Sequence, residues 1–422
     1  MQTAFTPEQL EDRETAASHG EIRKCVHCGF CTATCPTYVL LGDERDSPRG
    51  RIELIKAMLE DGGAPSAETV KHVDRCLSCL GCKTTCPSGV DYAQLIEHGR
   101  AHIQQHYRRP PGEALIRWTL DHVLTRPSHL RVALALGRLA RPLEPVLAAL
   151  KLARLAALLR LTPAKAAPRR APGVLPAGDE PRGRVILLQG CVENAMAPSI
   201  QAAAIRLINR TGFDVVLAKG EGCCGAIPEH LGRTKAAGRL AAANLRAWRK
   251  AGPVDAIVTT AAGCGTTLKA YGHRLPGEAD AASSAGKARD VLEFIGEVGL
   301  PPLIAPRVSL SVAYHVPCSL QHGQRIKDGP AGLLAAAGFE VRPIAEGHLC
   351  CGSAGVYNIL EPELAGRLRA RKAANIERTG AQAVAAANVG CIAQLAPAVG
   401  APVIHPVELL DWATGGPTPE GL

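Results

Sequence analysis

Aromatic side chains make up only 3% of this 422-residue chain, and methionine occurs three times. Its cores must therefore be aliphatic, with alanine-rich helices laid on apolar strands. The shortage of stacking rings also bears on the net charge of +9. A nucleic-acid binder would interleave aromatics with its basic residues or show Cys2His2 finger spacing. Here the bases are dispersed among acids, and no nucleic-acid partner is expected. The first twenty residues, MQTAFTPEQLEDRETAASHG, hold no apolar export segment, and no stretch approaches about 18 uninterrupted apolar residues. A cytoplasmic, non-spanning protein is expected. No strand runs into GxGxxG, no Walker loop occurs, and no Ser-His-Asp or paired-carboxylate constellation stands out. The chain thus nominates no catalytic residue, and no flavin or nicotinamide site of its own.

Cysteine, by contrast, is abundant: sixteen residues, all of them in two internal repeats. CVHCGFCTATCP at 25–36 returns as CLSCLGCKTTCP at 76–87, so Cys25, Cys28, Cys31 and Cys35 reappear at one constant offset as Cys76, Cys79, Cys82 and Cys86. In the second half, Cys191, Cys223, Cys224 and Cys264 reappear, again at one constant offset, as Cys318, Cys350, Cys351 and Cys391. Clustered short spacings of this kind suit metal or redox chemistry better than a disulfide scaffold. Exact duplication argues against chance.

The text between the repeats sets the domain plan. Residues 110–183 read as a connector: HLRVALALGRLARPLEPVLAALKLARLAALLRL has Leu and Val at helical spacing among arginines, with Pro142 and Pro145 as breaks, and 163–183 read as a Pro/Gly linker. A packed helical bundle is the expectation, with contact to anionic lipid as the alternative. From residue 184 strands and helices alternate. RVILLQGC, FDVVLAKGEGCCG and VDAIVTTAAGCG lead into the first four cysteines, and RVSLSVAYHVPC, FEVRPIAEGHLCCG and AQAVAAANVGC into the second four. Such alternation predicts two parallel α/β units, with the post-strand loops bringing each set of four together at one sheet edge. The expected fold class is α+β and multi-domain: a helical cysteine domain at 1–109, the helical connector at 110–183, and tandem α/β cysteine-rich units at 184–300 and 301–422.

C-x2-C-x2-C wraps three thiolates around a tight turn, which Gly29 and Gly81 are expected to relieve, while the fourth cysteine of C-x3-C-P points away. Zinc also takes four thiolates but normally pairs two CxxC knuckles, with no need for a third close cysteine. The pattern resembles the two-cluster [4Fe-4S] ferredoxin domain. That resemblance implies that each fourth cysteine serves the other cluster, with Cys25, Cys28, Cys31 and Cys86 holding one and Cys76, Cys79, Cys82 and Cys35 the other. CCG followed some forty residues later by another cysteine, present twice, resembles the cysteine-rich domain of heterodisulfide reductase and of several flavin-linked dehydrogenase subunits. In this order, from about residue 20 to 413, the chain resembles the iron-sulfur subunits of bacterial glycolate oxidases. SPRGRI (47–52), GCCGAIPEHL (222–231), TAAGCG (260–265) and HVPCSLQHGQ (315–324) carry that likeness.

The resemblance implies an electron-transfer subunit. A separate flavoprotein carrying FAD would oxidise glycolate to glyoxylate, and this chain would pass the electrons singly to a quinone or other membrane carrier, with peripheral contact at the inner face of the membrane. Three alternatives stay open: an iron-sulfur subunit for lactate or glycerol 3-phosphate, a heterodisulfide-reductase-like catalytic subunit, and a non-redox or zinc scaffold. In one respect the chain departs from the wider pattern. Where each cysteine-rich unit usually ends in CxxC, the earlier position is Ala261 in one copy and Asn388 in the other. An additional iron-sulfur centre at Cys191, Cys223, Cys224 and Cys264 or at Cys318, Cys350, Cys351 and Cys391 therefore stands beside reduced thiols with a structural or docking role. His315 and His322, flanking Cys318, are expected to make hydrogen bonds rather than ligate, and His27 to stand near a cluster without binding it. Arg49 and Arg51 read equally as a solvated first helical turn and as charges facing a cluster or a partner.

Overall fold

A computed structural model of the protein describes residues 1–150, 152–160, 162–163, 170–304 and 310–422. Parts of the expected connector and linker (151, 161 and 164–169) and the lead-in to the second unit's first strand (305–309) lie outside the described residues.

The N-terminal region is helical. Ser47 caps the helix Pro48–Asp61 by accepting from the Gly50 amide, Pro48 supplies the first turn, and Gly62 ends it at φ 70°. Its apolar face, Ile52, Ile55 and Leu59, meets Ile22 from the helix Arg13–Lys24 and Leu95, Ile96 and Ile103 from Tyr92–His106. Cys25, Cys76 and Cys82 are buried in this same cluster, so the core itself holds the cysteine loops. The connector forms the helices Pro111–Leu124, Pro127–Ala140, Glu144–Ala149 and Ala153–Arg160. A tight bundle was expected there. Among its described residues a narrow stripe that includes Leu120, Leu130 and Leu134 is buried, while Leu136, Leu139, Val146 and Leu150 are exposed.

The two cysteine-rich units repeat one topology. In the first, β1 (Gly173–Leu175), β2 (Gly183–Leu187), β3 (Phe213–Leu217), β4 (Ala256–Thr259) and β5 (Ala288–Asp290) form a sheet in the order β1-β3-β2-β4-β5. In the second, β6 (Ser311–His315), β7 (Glu340–Pro343), β8 (Ala383–Ala386) and β9 (Val403–Ile404) run β7-β6-β8-β9. All pairings are parallel except β1 with β3. β4 and β8 stand at the same offset from one another as Cys264 and Cys391. Val185, Ile186, Leu187 and Val258 are covered on both faces, as parallel strands must be, and each contributes about 1.5–3 kcal/mol of burial. One apolar cluster joins the units, running from Val185, Leu207 and Ile295 to Val312, Leu334 and Leu410. The chain crosses from one side of β2 to the other after β3, and from one side of β6 to the other after β7, so in each sheet the post-strand loops open into a crevice at that switch point.

Candidate functional site

The first cysteine motif starts where a helix stops. Cys25 caps Arg13–Lys24, and the next turn places His27 at φ 55° and Gly29 at φ 84°, bringing Cys28 and Cys31 back beside Cys25. Cys25, Cys28, Cys31 and Cys86 line one small cavity together with Arg49, Pro87 and Tyr92. Cys86 comes from the other motif, and Cys82 also borders the cavity. In the second motif the left-handed positions are Ser78 (φ 50°) and Leu80 (φ 61°). Here the expectation for Gly81 is corrected: the strained position is set by its place after the middle cysteine, and in this copy it holds Leu80. Gly81 instead opens the helix Gly81–Thr85, where an added Cβ would lie 3.3 Å from the Thr34 carbonyl of the first motif. Its smallness allows the two motifs to approach.

Cys35 caps the helix Pro36–Leu41 and lies close enough to Cys79 and Cys82 to act electrostatically on both. Arg51, 1% exposed, reaches beneath this group. Its Nε donates to the His72 carbonyl (2.6 Å), its Nη2 to Thr37 Oγ1 and Asp46 Oδ1 (3.0 Å each), and its Nη1 lies 3.8 Å from Cys35 Sγ. Burial pulls this guanidinium down, but the sulfurs of Cys76 and Cys35, with Tyr92 and Asp46, hold its pKa above the ordinary arginine value. Of the two readings for this arginine, the buried charge facing cysteines is the one observed. Arg49 is partly exposed, paired with Glu44 and bonded to the His27 carbonyl. His27 lies 3.9 Å from Glu53 at the surface.

The eight thiols are unpaired by disulfides, and burial pushes Cys31 up to about 11 and Cys79 and Cys82 well above the usual thiol value. Thiolates in such places need a cation to persist, and a bound metal ion deprotonates a coordinating thiol outright. Two sets of four sulfurs, largely withdrawn from solvent and with Arg51 as the cation beside one of them, fit iron-sulfur ligation.

In the first cysteine-rich unit the four cysteines do meet. Cys224 Sγ lies 3.3 Å from Cys264 Sγ, and Cys223 contacts Cys191 and Cys224. These contacts push the Cys223 and Cys264 thiols up and pull Cys224 down. Tyr271 donates to the Cys224 carbonyl (2.8 Å), and the Asn244 amide donates to the Cys223 carbonyl (3.0 Å). Glu193, two residues after Cys191, is bonded by Thr260, and burial raises its carboxyl to about 7. In the second unit Cys318 Sγ and Cys350 Sγ are 3.7 Å apart, Cys351 contacts Cys391, and the Asn388 amide reaches Cys391 Sγ at 3.6 Å. Asn388 therefore donates to the cluster of thiols from three residues before Cys391.

The two histidines beside Cys318 behave differently. His322 sits in a single π-helical turn, Ser319–Gly323, with Nδ1 2.7 Å from Thr84 Oγ1 and Nε2 3.2 Å from the His348 carbonyl. It thus bridges the second ferredoxin-type motif to the loop before Cys350. His315 departs from expectation: it is 2% exposed, and neither ring nitrogen has a hydrogen-bond partner. Burial pulls it down to about 3, which leaves the ring neutral. Cys79 packs in one apolar group with Leu77, Tyr357, Cys318 and Cys350. Sequence reasoning missed this junction, and it missed Arg100, which donates to Ser78 Oγ (2.7 Å) and to the Cys76 carbonyl.

Comparison with known proteins agrees with this division. The 4Fe-4S dicluster domain family matches residues 21–90, and the Cysteine-rich domain family matches 185–269 and 312–396. The glycolate oxidase iron-sulfur subunit of Escherichia coli (strain K12) is 39% identical over 98% of this chain and 99% of its own length. The probable glycolate oxidase iron-sulfur subunit of Bacillus subtilis (strain 168) is 32% identical over 89% of this chain and 88% of its own. Lactate utilization protein A of Geobacillus kaustophilus is 26% identical over 54% of this chain, and that stretch is 98% of its own length. With 39% identity over nearly the whole length of both chains, the chain belongs to the family of glycolate oxidase iron-sulfur subunits.

Proposed function

We propose that the chain is the electron relay of a glycolate oxidase, with one [4Fe-4S] cluster on Cys25, Cys28, Cys31 and Cys86 and another on Cys76, Cys79, Cys82 and Cys35. The observation that carries this reading is the cavity in which Cys86 joins the three cysteines of the other motif. Such clusters supply one-electron steps with little rearrangement. The chain's own residues hold the sulfurs in place, keep water from the buried set and, through Arg51, set a fixed positive charge beside Cys35. A flavoprotein partner carrying FAD takes the electrons from glycolate, giving glyoxylate. Cys28 is the exposed cysteine of its set, flanked by Val26 and Phe30 at 67% and 64% exposure, which favours the first cluster as the partner's side. Cys79, against Cys318 and Cys350, favours the second cluster as the side facing the cysteine-rich units.

The onward acceptor in this reading is a quinone or other membrane carrier. It draws support from the exposed Leu136, Leu139, Val146 and Leu150 on a helical connector that also carries arginines, a combination suited to the surface of an anionic membrane. Among the described residues no helix is long and apolar enough to cross a membrane. Domains at 1–109, 110–183, 184–300 and 301–422 complete the proposal. Lactate is the second reading for the substrate, favoured by the lactate utilization relatives. Because substrate choice would reside in the flavoprotein, turnover with glycolate against lactate in the assembled complex separates the two.

Cross-ligation has its own test. Cys86→Ser is expected to alter the EPR signal of the cluster held by Cys25, Cys28 and Cys31 and to leave the other signal in place. Loss confined to the cluster of Cys76, Cys79 and Cys82 would refute the pairing.

A further inference from the structure

The last residue of β6, His315, is a buried imidazole with two unpaired nitrogens, which a packed interior does not keep without compensation. One of its nitrogens, Cys351 Sγ and Cys391 Sγ all lie within 4.8 Å of one another, and all three residues are buried. Ligand atoms about 2.0–2.3 Å from a tetrahedral ion stand at comparable separations, and a Cys2His donor set with an open position is a known zinc arrangement. The surroundings suit anionic sulfur. The Asn388 amide points at Cys391 Sγ (3.6 Å), the Gly352 amide at Cys350 Sγ (3.4 Å), and buried Lys372 is within electrostatic reach of Cys351.

The other unit provides an internal control. At the position equivalent to His315, counted back from Cys191 as His315 is from Cys318, stands Leu188, 2% exposed and packed among apolar neighbours. Ala261 stands where the second unit has Asn388. The duplicated units share strands and cysteines but not this imidazole. We propose that the second cysteine-rich unit binds one soft divalent transition-metal ion, zinc(II) or iron(II), through His315, Cys351 and Cys391, and that the first unit has no equivalent site. The ion takes one of the two orphaned nitrogens of His315 and neutralises thiolate charge beside the group that contains Cys79. This holds whichever 2-hydroxy acid the partner oxidises.

The test uses the full, cluster-loaded chain under anaerobic conditions, with zinc, iron and acid-labile sulfide counted and cobalt(II) exchanged in as a spectroscopic probe. About one ion per chain beyond the iron of two cubanes is expected, with thiolate-to-cobalt absorption and no sulfide beyond that of the two clusters. His315→Leu, which installs the residue of the first unit, should remove that ion while both cluster EPR signals persist. His315→Cys should keep the ion and shift the cobalt spectrum toward more sulfur. Cys264→Ser, in the first unit, should change nothing in this count. The proposal is overturned by an unchanged cobalt spectrum in His315→Cys, by full occupancy in His315→Leu, by loss of the ion in Cys264→Ser, or by excess sulfide that makes the centre a cluster. The Cys variant decides the matter if the Leu variant fails to fold.

Discussion

With Cys79 replaced by serine, the partner flavin should still be reduced by glycolate at its normal rate, but it should reoxidise through this chain roughly a hundredfold more slowly. Cys79 is half-buried, and desolvation pushes its thiol well above the ordinary value, so it is held as a thiolate only by what it binds. It also packs against Cys318 and Cys350, where the two halves of the molecule meet. Losing its cluster would lengthen the gap that electrons must cross at the junction of the halves. Cys28→Ser, at the exposed end, should slow the same step, because the cluster nearest the flavin is then compromised. Stopped-flow flavin absorbance reads both halves of the cycle. Slow reduction by glycolate in either variant would mean that this chain shapes the substrate site, and unchanged reoxidation in both would mean that the clusters are not on the route.

Replacing Arg51 with leucine should cost about 3–5 kcal/mol of stability, because it removes one partner of a buried ion pair. Asp46 is 0% exposed and is shared among Arg51, Arg75 and the ring of His72, at 3.0, 3.1 and 3.1 Å. Of the two arginines Arg51 is the buried one, and it additionally ties Thr37 and the His72 carbonyl to the loop of Cys35. Its loss strands carboxylate charge in the interior and removes positive charge beside Cys35. The cluster served by Cys35 should then be harder to reduce, which an anaerobic EPR titration would report as a more negative midpoint. Denaturant unfolding of the cluster-loaded protein measures the first effect. The double variant Asp46→Asn/Arg51→Leu should lose less than the sum of the single changes. A single-variant loss below about 1 kcal/mol would place this pair with ordinary surface ion pairs.

The cysteines and the strands that precede them were legible because their signals are local. Spacing alone places Cys25, Cys28 and Cys31 on one turn, and apolar runs ending in Cys191 and Cys264 mark strands whose C-terminal loops must share an edge. The duplication that relates Cys191 to Cys318 carried over to the strand order of both sheets. What escaped depended on contacts between distant segments. Thr84 and His322 are 238 residues apart, and nothing near either one announces the other. The pairing of Gly173–Leu175 with β3 lies in text that reads as linker, and β5 is three residues long, too short for periodicity. Gly81 was misread because glycine suggests a left-handed turn, whereas this one serves close approach and Leu80 carries the strain. His315 was given a hydrogen-bonding role from its neighbours in sequence, and only burial from all sides shows that no partner is there.

The most direct measurement of the electron-relay account is anaerobic mixing of the oxidised chain with its flavoprotein partner and glycolate, with cluster absorbance and EPR followed in this chain. The account predicts that the clusters are reduced when flavoprotein and glycolate are both present and stay oxidised when either is omitted. Reduction by glycolate without the flavoprotein, or a reduced flavin facing clusters that remain oxidised, would contradict it.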